Sequence, residues 1–129
     1  MGMKVAVACP EGYTPDSEIM KWAHENGDFT WTTSVLEAAK DADVLYTDVW
    51  ASMGQESEAE ERKKIFAGYQ INSDVMAVAA HDAMVLHCLP AHRGEEITAE
   101  VLEAHANEIF DEAENRLHAQ KAVLVKCLK

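Results

Sequence analysis

Apolar residues along this chain form short continuous runs, and these alternate with longer segments in which apolar positions recur every three or four residues. The short runs are typical of buried strands and the longer segments of amphipathic helices. The pattern predicts strands at residues 4–9, 28–32, 42–47, 83–87 and 108–110. It predicts helices at residues 15–25, 33–40, 57–67, 72–80, 98–104 and 113–128, with Gly27 ending the first helix in a left-handed cap.

The order of these elements predicts an α/β fold. A helix separates each strand from the next, and no two-residue hairpin turn joins consecutive strands directly. Parallel pairing with right-handed crossovers follows from this arrangement. We therefore predict a single three-layer α/β/α, Rossmann-like domain over residues 1–129, with a parallel sheet in the order 2-1-3-4-5.

Charge and composition narrow the range of partners. The 129 residues include 11 Lys and Arg against 23 Asp and Glu, which gives a net charge of −12. Such an acidic chain repels nucleic-acid phosphates and anionic lipids, so we expect neither nucleic acid nor membrane as a partner. No apolar run approaches the roughly 20 residues of a membrane helix. Three scattered cysteines indicate a reducing compartment, so we expect a cytoplasmic protein.

Polar or reactive side chains follow three of the predicted strands. The fourth strand leads into His87-Cys88-Leu89-Pro90, and the third leads into Asp48 and then the Ser52-Met53-Gly54 loop. Arg116 follows the fifth predicted strand. Open parallel sheets bind ligands at the carboxyl ends of their strands. We therefore predict a polar site where the carboxylate, the hydroxyl, the thiol and the guanidinium converge.

Each of these side chains also has a purely structural interpretation. A free cysteine such as Cys88 is often a space-filling core residue, but its strand-end position and the nearby His92 and Arg93 favour a thiol with a lowered pKa. Asp48 is as readily a cap or turn residue as a ligand group. Arg116 is either a solvated surface cation or, early in a helix where a cation opposes the helix dipole, a sign of a bound anion.

Several common motifs do not occur. The chain has no G-x-G-x-x-G, no G-x-x-x-x-G-K-[ST] and no G-x-S-x-G, which argues against a dinucleotide site, a P-loop and a serine hydrolase. His87, Cys88 and His92 are conceivable metal ligands, but the sequence has no Cys-x-x-Cys or His-x-x-x-His pair to support them. We therefore predict neither a metal nor a cofactor.

At these residues the chain closely resembles the ornithine carbamoyltransferases. The resemblance rests on Asp48–Glu56 with its Ser-Met-Gly loop, the His-Cys-Leu-Pro of His87–Pro90, and Phe110–Arg116. It includes Pro10–Tyr13 and extends over Lys4–Leu128. The Ser-Met-Gly loop distinguishes the ornithine enzymes from their aspartate relatives.

The resemblance implies transfer of a carbamoyl group from carbamoyl phosphate to the side-chain amine of L-ornithine, giving citrulline and phosphate. This reaction belongs to arginine biosynthesis and the urea cycle. The implied ligands of the amino-acid end of ornithine are Asp48, Ser52 and Met53, with Cys88 beside the attacking side-chain amine. On the carbamoyl phosphate side, the resemblance implies roles for Cys88, for the Leu89 backbone and for Arg116, so that Cys88 and Arg116 are the candidate catalytic residues.

The chain also departs from the family. Its members have two domains, and the Ser-Thr-Arg-Thr phosphate loop and His-Pro-x-Gln segment of their first domain do not occur in these 129 residues. One arginine is a poor cradle for a phosphate dianion. We therefore expect an ornithine-binding half that needs a complementary domain to use carbamoyl phosphate. The alternatives are a non-enzymatic binding or interaction module that kept the fold, and half of a split enzyme acting in trans.

The predicted last helix bears on assembly. Its apolar positions Leu117, Val123, Leu124 and Leu128 would lose part of their cover if the first domain is absent. Exposed apolar patches tend to find partners, whereas the net charge opposes close association. We therefore expect a monomer, or weak self-association through the last helix.

Overall fold

The chain alternates strands and helices, as a computed structural model of residues 2–51 and 58–128 shows. The elements are β1 (Lys4–Ala8), α1 (Ser17–Asn26), β2 (Asp28–Thr32), α2 (Val35–Ala39), β3 (Val44–Thr47), α3 (Ala59–Ile65), α4 (Ser73–Val78), β4 (Met84–His87), α5 (Ala99–Ala104) and α6 (Ala106–Cys127). The predicted α/β class is confirmed, and the first four predicted strands lie within two residues of their observed bounds.

The strands pair in parallel. β1 pairs with β2, with Lys4 opposite Asp28, and β3 pairs with β4, with Val44 opposite Met84. Within the described residues these ladders form two separate two-stranded sheets. Both pairings are neighbours in the predicted order 2-1-3-4-5, but no described ladder joins β1 to β3, so the place of β1 beside β3 stays a prediction.

The predicted fifth strand is wrong. Residues 108–110 belong to α6, which begins at Ala106 rather than at Ala113. The physical reason is local composition, because no Gly or Pro follows Gly94, and Ala and Glu, both strong helix formers, flank a run of only two apolar residues, Ile109 and Phe110. The helix nevertheless supplies a hydrogen-bond acceptor to β4, as a neighbouring strand would, because Glu108 Oε2 accepts the backbone N–H of Val85 at 2.8 Å.

Side-chain caps fix where the helices begin. Asp16 caps α1 by accepting two backbone N–H groups, and Ser34, Asn72 and Thr98 cap α2, α4 and α5. Each cap satisfies an N–H that the first turn leaves free. The left-handed cap predicted at Gly27 is wrong, because a φ of −154° carries the chain from α1 directly into the extended backbone of β2.

The hydrophobic core lies on one face of the β3–β4 pair. Side chains alternate along these strands, so that Leu45, Val85 and His87 are buried while Tyr46 and Met84 on the other face are exposed. Residues from α2, α4, α5, α6 and the intervening loops complete the core: Ala39, Ile71, Val75, Ile97, Val101, Leu102 and Ile109. The core therefore fixes the carboxyl ends of β3 and β4.

The last helix leaves the core after its first two turns. From Glu114 to Leu128 every residue of this segment is exposed, including Leu117, Val123 and Leu124. The apolar positions predicted on this helix are thus uncovered. Among the helices of residues 2–51 and 58–128, none combines the length and apolar character that a membrane crossing requires.

Candidate functional site

A cavity of about 470 Å³ opens at the carboxyl ends of β3 and β4. Its described walls are the segment after β3, one face of α3 and the loop after β4: Asp48, Val49, Trp50, Ala51, Ala59, Lys63, Cys88, Leu89, Pro90, His92 and Glu95. This is the edge where the sequence places a site. Asp48, Cys88 and Leu89 are brought together here, while the predicted ligands Ser52 and Met53 lie outside the described residues.

The register of β3 against β4 brings Asp48 and Cys88 together. Thr47 lies opposite His87, so the next residue along each strand lies at the same level. A carboxylate oxygen of Asp48, a ring nitrogen of His87 and the Cys88 sulfur all lie within 4.8 Å of one another. Asp48 is also a turn residue, since its Oδ1 accepts the Val49 N–H at 2.7 Å. The two interpretations of Asp48 are therefore compatible.

The environment of the Cys88 thiol differs from the predicted one. Its pKa is raised, first by burial and then by a hydrogen bond to Asp48 and the charge of that carboxylate. Neither expected cation is among the groups that act on the thiol, because the Arg93 guanidinium pairs with Glu103 at 2.7 Å and the His92 ring, on the same cavity wall, lies 3.8 Å from Glu95. The predicted lowering of the thiol pKa is therefore wrong. At neutral pH Cys88 is a neutral thiol beside a carboxylate.

A buried pair holds the loop that carries Cys88. His87 and Glu96 are fully buried, and His87 Nε2 lies 3.0 Å from Glu96 Oε1. His87 Nδ1 accepts the Leu89 N–H at 2.9 Å, so the ring carries its proton on Nε2 and donates it to Glu96. Glu96 Oε1 also accepts the His92 N–H at 2.6 Å. Both ends of the loop after β4 are thus tied to one buried pair.

The buried pair of His87 and Glu96 also holds Leu89 in an unusual backbone conformation. Its φ is 54°, in the left-handed region that non-glycine residues seldom occupy. The hydrogen bond from its N–H to His87 on one side, and the bond from the His92 N–H to Glu96 on the other, hold the backbone there. Such a conformation is found where surrounding structure enforces it, often at ligand sites.

Two groups of side chains carry the donor atoms of a metal site: Asp48 with His87 and Cys88, and His92 with Glu95 and Glu96. In the first group both ring nitrogens of His87 are already engaged. In the second, the Lys63 ammonium lies 3.0 Å from Glu95 Oε1 and competes with any cation. In each group at least one donor atom is thus already engaged by another protein group. The expectation of no metal stays a prediction.

The sequence alone did not single out two further parts of the cavity wall. Lys63 lies one helical turn after Ala59, and both line the cavity. Because residues four apart lie on the same face of a helix, the helical period alone could have predicted that they share a face. The hydrogen bond and charge of Glu95 raise the pKa of the Lys63 ammonium. Trp50 stacks on Phe66 with ring centroids 6.1 Å apart, which fixes the aromatic side of the wall.

Tyr46 and Glu112 also influence the thiol. The pKa of Tyr46 is raised well above its usual range, first by desolvation of its hydroxyl and then by a hydrogen bond to Glu112, with Cys88 contributing as well. Glu112 is on α6, and its charge also contributes to the raised pKa of Cys88. A second carboxylate thus belongs to the surroundings of the thiol, and the sequence analysis missed it because a strand was predicted at residues 108–110, where the structure has the helix that carries Glu112.

Arg116 does not reach the described cavity wall. It is exposed, one turn beyond Glu112 on α6. The argument from the helix dipole fails, because α6 begins at Ala106 and Arg116 lies in its middle. Glu114, the acidic residue two positions earlier, lies 3.2 Å from His118. A role for Arg116 with a phosphate therefore stays a prediction.

Comparison with known proteins identifies the family. The profile of the family "Aspartate/ornithine carbamoyltransferase, Asp/Orn binding domain" matches residues 1–127. The ornithine carbamoyltransferase of Pyrococcus horikoshii is 56% identical over 99% of this chain, which covers 42% of that protein. The enzyme of Methanosarcina acetivorans is 53% identical over 100% of this chain and 43% of that protein. The chain thus spans less than half the length of these relatives.

Comparison with solved structures leads to the same family. The anabolic ornithine carbamoyltransferase of Campylobacter jejuni superposes with a TM-score of 0.91 at 42% identity, over 96% of this chain and 43% of that one. The Pyrococcus furiosus enzyme gives a TM-score of 0.84 at 55% identity, over 95% of this chain and 41% of that one. These likenesses confirm the Rossmann-like α/β fold. The chain therefore belongs to the aspartate/ornithine carbamoyltransferase family and corresponds to its Asp/Orn binding domain.

Proposed function

We propose that this chain binds L-ornithine in the cavity at the ends of β3 and β4 and presents its side-chain amine for carbamoyl transfer. The observation that carries the proposal is the convergence of Asp48 and Cys88 in one cavity. A carboxylate there attracts the ammonium of the ligand, while Trp50, Leu89 and Pro90 offer apolar surface to its methylene stem. The relatives named ornithine carbamoyltransferase support the choice of ligand.

The chemistry follows from the protonation states. An amine must lose its proton before its lone pair can attack the carbamoyl carbon. The new C–N bond then forms, the C–O bond to phosphate breaks, and phosphate leaves. The Asp48 carboxylate holds the ammonium near the neutral Cys88 thiol, so the pair positions the amine and the carboxylate is the nearby acceptor for its proton.

The remaining roles belong to the same proposal. Asp48 also binds the amino-acid end of ornithine, together with Ser52 and Met53, and the Leu89 backbone and Arg116 act on the carbamoyl phosphate side. Residues 1–129 form one domain that needs a complementary domain to use carbamoyl phosphate, in a cytoplasmic protein without cofactor. Positioning and electrostatic stabilisation supply most of the rate of such a reaction, so these residues alone give no measurable citrulline.

Calorimetric titration with L-ornithine tests the binding proposal. We expect millimolar affinity, because an open cavity leaves the ligand half solvated and ordering costs offset part of the contact energy. Asp48→Asn should abolish the binding heat, whereas Asp43→Asn, an exposed residue just before β3, should leave it unchanged. No heat in the wild-type chain at tens of millimolar ligand would favour the non-enzymatic module.

A citrulline assay tests the need for a second domain. The chain should be inactive alone and should gain activity when the carbamoyl-phosphate domain of a relative is added as a separate chain. Turnover by the purified chain alone, abolished by Cys88→Ala, would contradict the proposal.

A further inference from the structure

The His87 ring lies within a chain of hydrogen bonds that ends in a backbone N–H on each side. At one end the His92 N–H donates to Glu96 Oε1 at 2.6 Å. At the other end the Leu89 N–H donates to His87 Nδ1 at 2.9 Å. Between them, His87 Nε2 lies 3.0 Å from the same Oε1. A backbone N–H can only donate, so the atoms that face the two ends have to be acceptors.

These two ends leave one arrangement of protons in the middle. Because Nδ1 of His87 receives the Leu89 N–H, it is bare, and a neutral ring then carries its proton on Nε2. Because Glu96 Oε1 receives the His92 N–H, it is free to accept that proton as well. A ring protonated on Nδ1 would instead set two donors against each other at Leu89 and two acceptors against each other at Glu96.

Glu96 is itself anchored to the core. Its backbone carbonyl accepts the Ile71 N–H at 2.9 Å, and the Ile71 carbonyl accepts the Thr98 N–H at 3.0 Å. The side chain is fully buried, and its Oε2 has no hydrogen-bond partner among the described residues. A buried acid whose second oxygen has no donor is costly, so its presence indicates a specific task for the first oxygen.

We propose that Glu96 is a positioning residue for the candidate site, because its Oε1 keeps the His87 ring protonated on Nε2 and the bare Nδ1 then fixes the direction of the Cys88–Leu89 peptide. The N–H and C=O of a trans peptide point in opposite directions, so the Cys88 carbonyl faces away from the buried ring. Cys88 and Leu89 both line the cavity, so the direction of this peptide shapes its wall. The effect on ligand binding rests on the proposed function, whereas the control of the ring and of the peptide does not.

Heteronuclear NMR of the histidine ring nitrogens in the 129-residue chain tests the control of the ring. In the wild-type chain, Nε2 of His87 should have the shift of a protonated nitrogen and Nδ1 that of a bare one. Glu96→Leu removes the acceptor, so the ring should lose this single state and the Leu89 N–H should exchange with solvent about tenfold faster. A wild-type ring protonated on Nδ1, or ring shifts that Glu96→Leu leaves unchanged, would overturn the proposal.

Glu96→Gln is the conservative variant. Its amide has to turn the oxygen toward His92, because its NH2 group would meet the His92 N–H as donor against donor, and that oxygen also accepts from His87 Nε2. The ring state and the protection of the Leu89 N–H should therefore survive the loss of the charge. Ile97→Val trims a buried neighbour without touching these bonds, so it controls for packing and should leave the ring shifts unchanged. A different ring state in either variant would contradict the proposal.

Calorimetric titration with L-ornithine measures the consequence for binding. Glu96→Leu should weaken binding about tenfold, because a cavity wall whose support is lost no longer holds the geometry that the ligand needs. Glu96→Gln and Ile97→Val should stay within about twofold of the wild-type affinity. Equal affinity in Glu96→Leu and the wild-type chain would refute the positioning role and leave the proposed function intact.

The two proposals can fail separately. If L-ornithine does not bind the wild-type chain while the ring and the Leu89 N–H respond as expected, the proposed function fails and the control of the peptide by Glu96 stands. Should Glu96→Leu fail to fold by circular dichroism, the ring states of the wild-type chain and of Glu96→Gln decide, since protonation on Nδ1 in either one overturns the proposal.

Discussion

The two strand pairs of this domain differ sharply in burial. In β3–β4 one whole face is covered, with Val85 at 0% exposure, and the core converges on it. In β1–β2 the first three residues, Lys4–Ala6, are exposed, and α1 beside it buries no residue. Next to this pair Cys9 and Pro10 are buried, and the Cys9 sulfur accepts the Trp31 indole N–H at 3.0 Å.

This difference explains where the candidate site lies. Fixing the backbone of one residue costs about 1–2 kcal/mol, and burial of apolar surface is the main term that offsets it. β3–β4 has that burial, so Asp48 and Cys88 extend from the most firmly held part of the chain. The candidate site and the best-packed part of the core thus lie on the same two strands, and β1–β2 lies outside that core.

The largest effect should come from a core substitution. Ile97 is fully buried in the β3–β4 core, and Ile97→Ala should lower the free energy of unfolding by about 2–5 kcal/mol. Val5 on β1 is 46% exposed, and Val5→Ala should change it by less than about 0.5 kcal/mol. Urea denaturation measures both. Equal losses in the free energy of unfolding would show that the two strand pairs contribute equally to stability.

The next largest effect should come from breaking the buried pair of His87 and Glu96. His87→Leu leaves the Glu96 carboxylate buried without that donor, and we expect a loss of about 3 kcal/mol in the free energy of unfolding. Its counterpart on β1–β2 is the surface pair of Lys4 and Asp28, 3.7 Å apart, where Lys4→Ala should have no measurable effect. A stable His87→Leu variant would refute the claim that this pair holds the loop after β4.

A smaller effect concerns pH. Burial opposes ionisation of Glu108, but hydrogen bonds from the Val85 N–H and His105 outweigh it and lower the pKa of the carboxyl below its ordinary 4.5. A lowered pKa in the folded state stabilises the fold above the ordinary pKa, and this contribution is lost as pH falls through the folded value. Wild-type stability should therefore fall below about pH 4.5 more steeply than that of Glu108→Gln.

Urea midpoints measured from pH 7 to pH 3 give the comparison. The two curves should converge at the acid end, because a protonated Glu108 no longer accepts the Val85 N–H as a carboxylate. Parallel curves across the whole range would mean that Glu108 does not stabilise the edge of β4.

The smallest effect concerns the exposed end of α6. Leu117, Val123 and Leu124 are each about 60% exposed, and the net charge of −12 opposes their association. We expect a monomer at low salt and weak self-association at high salt in sedimentation experiments. Leu124→Asp should remove the salt effect, and a stable trimer at every salt concentration would contradict this expectation.

The sequence predicted the parts of the fold that depend on local pattern. Ser34, Asn72 and Thr98 cap helices within one residue of the predicted helix starts, and the first four strands lie where their apolar runs are. Parallel pairing then places Asp48 beside Cys88. The strand predicted at residues 108–110 was wrong because the helix propensity of the residues on both sides outweighed a run of two apolar residues.

The surroundings of the thiol were not predictable in this way. His92 and Arg93 are close to Cys88 in sequence, yet they pair with other carboxylates. The groups that do act on the thiol include Glu112, which α6 brings from far along the chain. Sequence neighbours identify which strand end carries chemistry, but only tertiary packing decides which charges face it.

Protection of Cys88 from alkylation tests the central claim most directly. L-ornithine at millimolar concentration should slow the modification of Cys88 and leave that of Cys127, exposed at the far end of α6, unchanged. L-Norvaline, which has the same carbon chain without the side-chain amine, should protect far less. Equal modification of Cys88 with and without tens of millimolar L-ornithine would contradict an ornithine site at the ends of β3 and β4.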